Sequence, residues 1–558
     1  MLRTVQTRFV SCLCLEAQRK GMVIKMTNFI LRSEELQDSK ILDYYVGTVH
    51  DEEILEHLET PIPCLLEGSR GVGKSFLFKV LKQRLLNRFA DTKILPVMVT
   101  FRNSPFLKTE NESAFYYWML ARITSEIIRA LKKAGVLVGR YSFLYGTSSN
   151  TDDETELEKI CNQFEQSWRE KEVDIDTSLL PTIDDLLQAV EDVCETGFIK
   201  RIIVNIDEAA HVFIPAQQRQ FFTLFRDMRS PYLKCNAAIY PGTTCFGDSF
   251  QPMHDAMFLH ISRNIQDDDY IPSMRDMVTK QIDDSATIRK LLQHGENFNL
   301  LAYASNGNPR LLFTTLGMVD RINADSTNKI FREFYRERIW AEHSALAEKF
   351  PSCKDLIDWG RDFIENDVLP ELKSKNDKYL AKDQPTTYYL WIHRDAPQIN
   401  KEALRLLEYT GILIENANGI RATRNAIGTR YGVNIGCLLA LEAVPTSTGA
   451  RILKNTTTKR MSEYGASNSC YEPLSSKKLI ELETSNNQFL QDQLAKSIDF
   501  LDLTDWQKEK LHSVSINTIG ELAASNESAV MKAYYVGEVR AKQMKNAAYA
   551  ALFEYLLG

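Results

Sequence analysis

The sequence predicts an α/β protein whose main domain is a parallel sheet covered by helices, with smaller modules after it. Three observations carry that expectation. A glycine-rich turn, Gly68-Ser69-Arg70-Gly71-Val72-Gly73-Lys74-Ser75, joins an apolar run (Cys64, Leu65, Leu66) to a helically spaced one beginning at Phe76. A mostly β-branched run at 202–206 releases two acids, Asp207 and Glu208, at its carboxyl end, where ligands bind in open α/β sheets. Apolar runs at 94–101 and 236–240 alternate with helical patterns such as 114–133, as strand–helix–strand units do.

The glycine-rich turn fits G-x-x-x-x-G-K-[ST] at every fixed position and lies in the strand-to-helix context the pattern requires. Gly68, Gly71 and Gly73 let the backbone turn its N–H groups toward an anion, and the positive end of the helix that follows adds to the attraction. Lys74 is placed to reach the outer phosphates of ATP and the Ser75 hydroxyl to hold Mg²⁺. Residues 68–76, from Gly68 through Phe76, form the expected nucleotide-binding set. Asp207 is placed to organise Mg²⁺ through its water shell, and Glu208 to polarise the water that attacks the terminal phosphate.

The remaining elements follow in order. Residues 28–58 read as polar and helical, and Tyr45 and Val46 are candidate base contacts or simply packed side chains. Residues 147–176 are acidic and weakly periodic, an inserted surface segment. The strand at 236–240 ends in Pro241-Gly242-Thr243-Thr244. Thr243 either senses the terminal phosphate or caps the turn. Arg263 either reaches a neighbouring subunit's nucleotide or forms a surface salt bridge. Asn306-Gly307 supplies a turn, Pro309 suits a first helical turn, and Arg310 at that helix start can fold back onto the terminal phosphate.

At 558 residues the chain holds enough material for two to four domains, and 44% hydrophobic with 25% charged residues is ordinary for a globular protein. A net charge of −7 gives no global pull toward nucleic acid, so any such binding falls to local basic surfaces. No apolar stretch is long enough for a membrane span. The 10 cysteines lack paired C-x-x-C spacing, which suits reduced thiols in the cytoplasm. The first 25 residues carry Arg3, Arg8, Arg19, Lys20 and Lys25 against Glu16. That bias superficially matches a transit peptide, but Met22 and Met26 favour an extension upstream of the true start.

In chain order these pieces resemble the AAA+ ATPases of the origin-recognition initiator group and the related signal-transducing STAND ATPases. GSRGVGKS matches Walker A and IIVNIDE matches Walker B, while PGTT and GNPR stand near sensors 1 and 2. The resemblance implies Mg²⁺-dependent ATP hydrolysis, with Lys74, Glu208, Thr243, Arg263 and Arg310 as catalytic candidates and Ser75 and Asp207 as metal ligands. It also implies a homo-oligomer formed on ATP binding. The expected division is an N-terminal extension at 1–27, the ATPase core at 28–282 and a helical lid at 283–345.

Residues 346–444 resemble a winged helix: an amphipathic helix at 402–409, then a β-ribbon turned at Asn418-Gly419. There Lys401 and Arg405 are placed for a groove, and Arg421, Arg424 and Arg430 for phosphates. Residues 445–492, rich in Ser, Thr, Asn and Gly, read as a flexible linker. Residues 493–558 resemble the helix-hairpin-helix domain at the C-terminus of the bacterial RNA polymerase alpha subunit. Gly537, Arg540, Lys542 and Lys545 face a DNA phosphate in that reading, although Tyr535 stands where many such motifs carry glycine. The expected function is an ATP-driven switch that engages DNA, in anti-phage defence, mobile-element or replication processes. A STAND-like sensor holding a protein partner is the alternative, and a small-molecule kinase a third reading.

Overall fold

A computed structural model describes residues 29–101, 112–136, 156–166, 180–209, 215–475 and 494–556, apart from 242, 243, 245, 248, 249, 283, 320, 350–352, 424 and 502. Expectations placed on residues 1–27, Thr243 and Arg424 therefore lie outside the described residues.

Strands β1 (Cys64–Glu67), β2 (Ile94–Thr100), β3 (Arg201–Asp207), β4 (Leu233–Ile239) and β5 (Met257–His260) form one parallel sheet in the order β2-β3-β4-β1-β5. Alternation of side chains sends Ile202, Val204 and Ile206 of β3 to one face and Ile203 to the other. On the first face they meet Trp118 and Ile123 of helix α1 (Glu112–Lys133) and the Phe221, Phe222 and Phe225 cluster of α2 (Pro215–Asp227). On the second they meet Ile54 and Leu58 of the helix Val49–Glu59, and Leu77, Phe78 and Leu81 of the helix Lys74–Asn87. Asn205 interrupts the apolar run of β3 and meets Asn236 of β4 across the sheet, which donates to its carboxamide oxygen at 2.9 Å. Pro96 is tolerated in β2 because that strand is a sheet edge. The helical part of the acidic insertion, Glu156–Gln166, packs Leu157, Ile160 and Phe164 onto the α1 side.

The lid and the module after it share one apolar cluster, so the expected boundary at 345/346 is no break in the core. It runs through Phe298, Leu312, Phe331, Leu356, Tyr389, Leu404 and Leu474. A second sheet, β7-β8-β6-β9, contains β6 (Tyr389–His393), β7 (Leu413–Arg421), β8 (Ile427–Val433) and β9 (Ser462–Tyr464). Helix α3 (Gln398–Thr410) connects β6 to β7. The ribbon turns later than expected, between Arg421 and Ile427. Ala422 N–H donates to Ala426 C=O at 2.9 Å and Asn425 takes a positive φ of 61°. Asn418-Gly419 lies inside β7, where the register shifts, so Gly419 uses its φ of 70° for a bulge.

The linker expectation for 445–492 is corrected over 445–475, while 476–492 lie outside the described residues. Pro445–Lys454 is a helix, β9 adds to the sheet, and Ile452, Tyr464, Tyr471 and Leu474 are buried. The polar residues there are structural partners: Thr386 Oγ1 donates to Ile452 C=O at 2.6 Å, and Thr387 Oγ1 to Arg460 C=O at 2.6 Å. Composition signals a linker only when such groups stay solvated.

Residues 494–556 form a small helical unit around Leu511, Leu522, Val530, Met544 and Leu552. Its helices include α4 (Asp505–Ser513) and α5 (Glu538–Leu556), and α5 packs on α3. No helix among the described residues is long and apolar enough to cross a membrane.

Candidate nucleotide site

A cavity of about 360 Å³ opens where β1 gives way to the helix Lys74–Asn87. Its lining divides by chemistry. Tyr45, Val46, Met277 and Phe313 supply apolar surface, while 70–75, Glu208 and Arg310 supply polar and charged groups. Gly71 and Gly73 take φ of 94° and 111°, torsions that residues with a side chain resist, and this turns the loop around the start of the helix. A methyl on Gly71 would meet Asn308 Oδ1 at 2.8 Å, so the loop from the lid packs directly on the glycine-rich turn. Asn308 also donates to Arg70 C=O at 2.9 Å and caps its own helix by accepting from Leu311 N–H.

Lys74 is only 5% exposed. Its Nζ donates to Gly68 C=O and, at 3.2 Å, to Ser69 C=O, and lies 3.6 Å from the centroid of the Tyr240 ring. Burial pulls its pKa down to about 7; Asp207 and Glu67 oppose the shift, while Arg310 and Arg70 add to it. The acids face the same place. Burial pushes the Asp207 carboxyl up, while the neighbouring Ser75 hydroxyl, the Glu208 N–H at 3.0 Å and the Lys74 charge hold it back. Glu208 lines the cavity with φ of 58°, a left-handed conformation that a β-substituted residue enters at a cost and that is common at functional sites. The donor set, a hydroxyl and a carboxylate, is the hard oxygen pair that suits Mg²⁺.

Arg310 lines the cavity beside Arg70, and its Nε donates to Leu31 C=O at 3.1 Å. Burial and the neighbouring Arg70 lower its pKa. Arg263 departs from the expectation of a residue reaching another subunit. Its side chain is 7% exposed and turns inward, donating to both oxygens of Asp51 at 3.1 and 3.2 Å and to Val72 C=O at 2.9 Å. Asp51, 1% exposed, is itself fixed by a reciprocal cap with Thr48. Arg263 is thus a pin between the helix at 49–59 and the glycine-rich turn. Beside Thr243, Thr244 caps the strand end by donating to Tyr240 C=O at 2.8 Å.

Three contributors escaped sequence reasoning. Tyr240, the residue after β4, receives Lys74 because β4 lies between β1 and β3. The segment at 30–36 lines the cavity and is tied down by Arg310 and by Lys79, which donates to Ser33 C=O at 2.7 Å. The end of α3 also abuts the site: the Tyr409 ring stands 5.6 Å from that of Tyr240, and a methyl on Gly411 would lie 3.8 Å from Ser69 Oγ. Nearby, Glu408 is raised by burial and by Glu415 and Glu67, while His260 is raised by its 2.8 Å contact with Glu67. Only the strand order hinted at Tyr240; nothing local marked the other two.

The residues read as facing DNA are already engaged. Lys401 donates to Arg394 C=O and burial lowers its pKa. Arg405 pairs with Glu402 at 3.0 Å, and Arg430 donates to Asn416 and to Thr458 C=O, both at 2.8 Å. Gln398 N–H of α3 donates to Asn546 Oδ1 of α5 at 3.3 Å, so the C-terminal unit rests on the helix expected in a groove. Lys542 pairs with Glu538, and Lys545 donates to Ser525 C=O.

No protein-family model and no curated protein matches this chain. Among solved structures, it is similar to the Walker-type ATPase of Pyrococcus abyssi, at 14% identity and a TM-score of 0.33, over 78% of this chain and 100% of that one. It is similar also to the ORC1 protein of Aeropyrum pernix in complex with DNA (14%, TM-score 0.28, 74% and 98%) and to the RuvB Holliday junction branch migration motor of Thermotoga maritima (13%, TM-score 0.26, 70% and 94%). Likenesses this distant decide nothing about what the chain does.

Proposed function

We propose that this chain is an ATPase of AAA+ type that binds ATP with Mg²⁺ and hydrolyses it to switch its engagement of DNA through residues 389–433 and 494–556. One observation carries the reading. Glu208, the residue after β3, lines the same cavity as the glycine-rich turn, and Asp207 beside it lies close enough to Ser75 and Lys74 for each to hold its carboxyl pKa down. In this reading Lys74 exchanges its two carbonyl acceptors for phosphate oxygens, which restore the charge that burial suppresses. Ser75 and Asp207 hold Mg²⁺, which when bound neutralises phosphate charge. Glu208 accepts the proton of the attacking water, and Arg310 reports the terminal phosphate to the lid.

The test is paired. Lys74→Ala is expected to abolish nucleotide binding, while Glu208→Gln binds ATP and scarcely turns it over. Normal turnover in Glu208→Gln rejects its role. With Arg263 turned inward, an ATP-dependent homo-oligomer needs another arginine to reach its neighbour's nucleotide; sedimentation with a slowly hydrolysed analogue reads the assembly.

A second reading, a sensor whose C-terminal unit holds a protein, is favoured by α5 resting on α3. DNA binding across a salt series separates the two, since phosphate contacts predict an affinity that falls steeply with salt.

A further inference from the structure

The C-terminal unit presents three aromatic rings to solvent beside two cations. Trp506 stands on α4 with Lys510 one turn along, while Tyr534 and Tyr535 precede α5 and Arg540 opens it. The Arg540 guanidinium lies 5.0 Å from the Trp506 ring centroid and donates to Tyr535 C=O at 2.7 Å. Lys510 Nζ lies 5.6 Å from the Trp506 ring and 5.9 Å from that of Tyr534. The two tyrosine rings meet edge to face with centroids 4.3 Å apart. These contacts tie the five side chains into a single ledge.

The rings do not serve the core. Ala533 and Val536 on either side are buried, whereas Tyr534 and Tyr535 are 73% and 69% exposed. Tyr535 moreover holds φ at 67°, where glycine would sit without strain. A strained backbone position that aims a large ring at water gains nothing from packing, and such strain concentrates where a surface is used.

We propose that this ledge binds single-stranded nucleic acid, its bases stacked on the tyrosine and tryptophan rings and its phosphates met by Lys510 and Arg540. Aromatic faces beside cations suit an unpaired strand, because every base then offers a π-face and every link a negative charge. In a duplex those faces are hidden in the stack. The proposal rests on the reading that the C-terminal unit meets nucleic acid, and it names the form of that nucleic acid.

The test measures fluorescence anisotropy of labelled oligothymidylate of about 20 nucleotides, long enough for such sites, with the full chain, beside a duplex of equal length. Replacing both tyrosines, Tyr534→Ala with Tyr535→Gly, is expected to weaken oligothymidylate binding about tenfold or more, with a melting temperature that holds or rises because glycine relieves the strain. Lys510→Ala is expected to flatten the salt dependence. Unchanged oligothymidylate affinity in the double variant overturns the proposal. Duplex binding without oligothymidylate binding in the parent chain overturns it alone. Binding of neither overturns the DNA reading of the whole chain with it, and leaves a protein as the occupant of the ledge.

Discussion

The cavity at the glycine-rich turn holds two of its cations on neutral carbonyls, whereas the C-terminal half holds Arg405 and Lys542 on carboxylates and Lys401, Arg430, Arg540 and Lys545 on carbonyls. In the cavity, Lys74 and Arg310 donate to neutral backbone carbonyls, of Gly68, Ser69 and Leu31, which a phosphate outcompetes. In the C-terminal half, Arg405 and Lys542 already face the carboxylates of Glu402 and Glu538, and α5 rests on α3. A basic residue is therefore poised for an anion only where its present partners are weaker than the ligand. Arg263 makes the same point beside the glycine-rich turn: facing Asp51 and buried, it holds structure together instead of awaiting a phosphate.

Breaking this comparison gives graded outcomes. Glu208→Gln is expected to lower ATP turnover by roughly 10²–10⁴-fold with nucleotide binding kept, as removal of a general base does; steady-state phosphate release measures it. Arg263→Ala leaves the Asp51 carboxylate buried without its partner and is expected to cost about 3–5 kcal/mol of stability, read as a shift in denaturant midpoint. Lys74→Ala removes charge-assisted bonds worth about 1.5–3 kcal/mol each, and titration calorimetry should find ATP affinity beyond reach.

The lowered pKa of Lys74 sharpens the contrast through pH. The folded lysine gives up its proton near pH 7 and the unfolded one near 10.5, so between those values the unfolded chain binds more protons and stability rises with pH. Lys74→Met flattens that rise. Lys234, lowered to about 8 by burial, leaves a remainder. ATP binding near pH 8 should also take up a proton as Lys74 regains its charge, visible in calorimetry across buffers of different ionisation enthalpy. The smallest effect is expected for Arg405→Ala, whose exposed charge is answered by Glu402. DNA affinity should change little, because that charge is already held by the buried Glu402 carboxylate.

Much of the cavity was legible in the chain because its chemistry is local. Glycines at two positive-φ positions, a lysine at the helix start and acids closing a buried strand each report their role through spacing alone. The hairpin turn misled because Asn418-Gly419 serves a bulge as readily as a turn, and register decides between them. The segment at 445–475 misled because Thr and Ser look solvated until a distant carbonyl accepts from them.

By itself the sequence determined the parallel sheet, the glycine-rich turn and the pair Asp207–Glu208, since periodicity and torsional preference act over a few residues. Only the tertiary structure decided that Tyr240 lies against Lys74, that Arg263 is spent on Asp51, and that α5 rests on α3. Those outcomes depend on strand order and on which surfaces meet, and partners 148 to 212 residues apart leave no periodic trace in the chain between them.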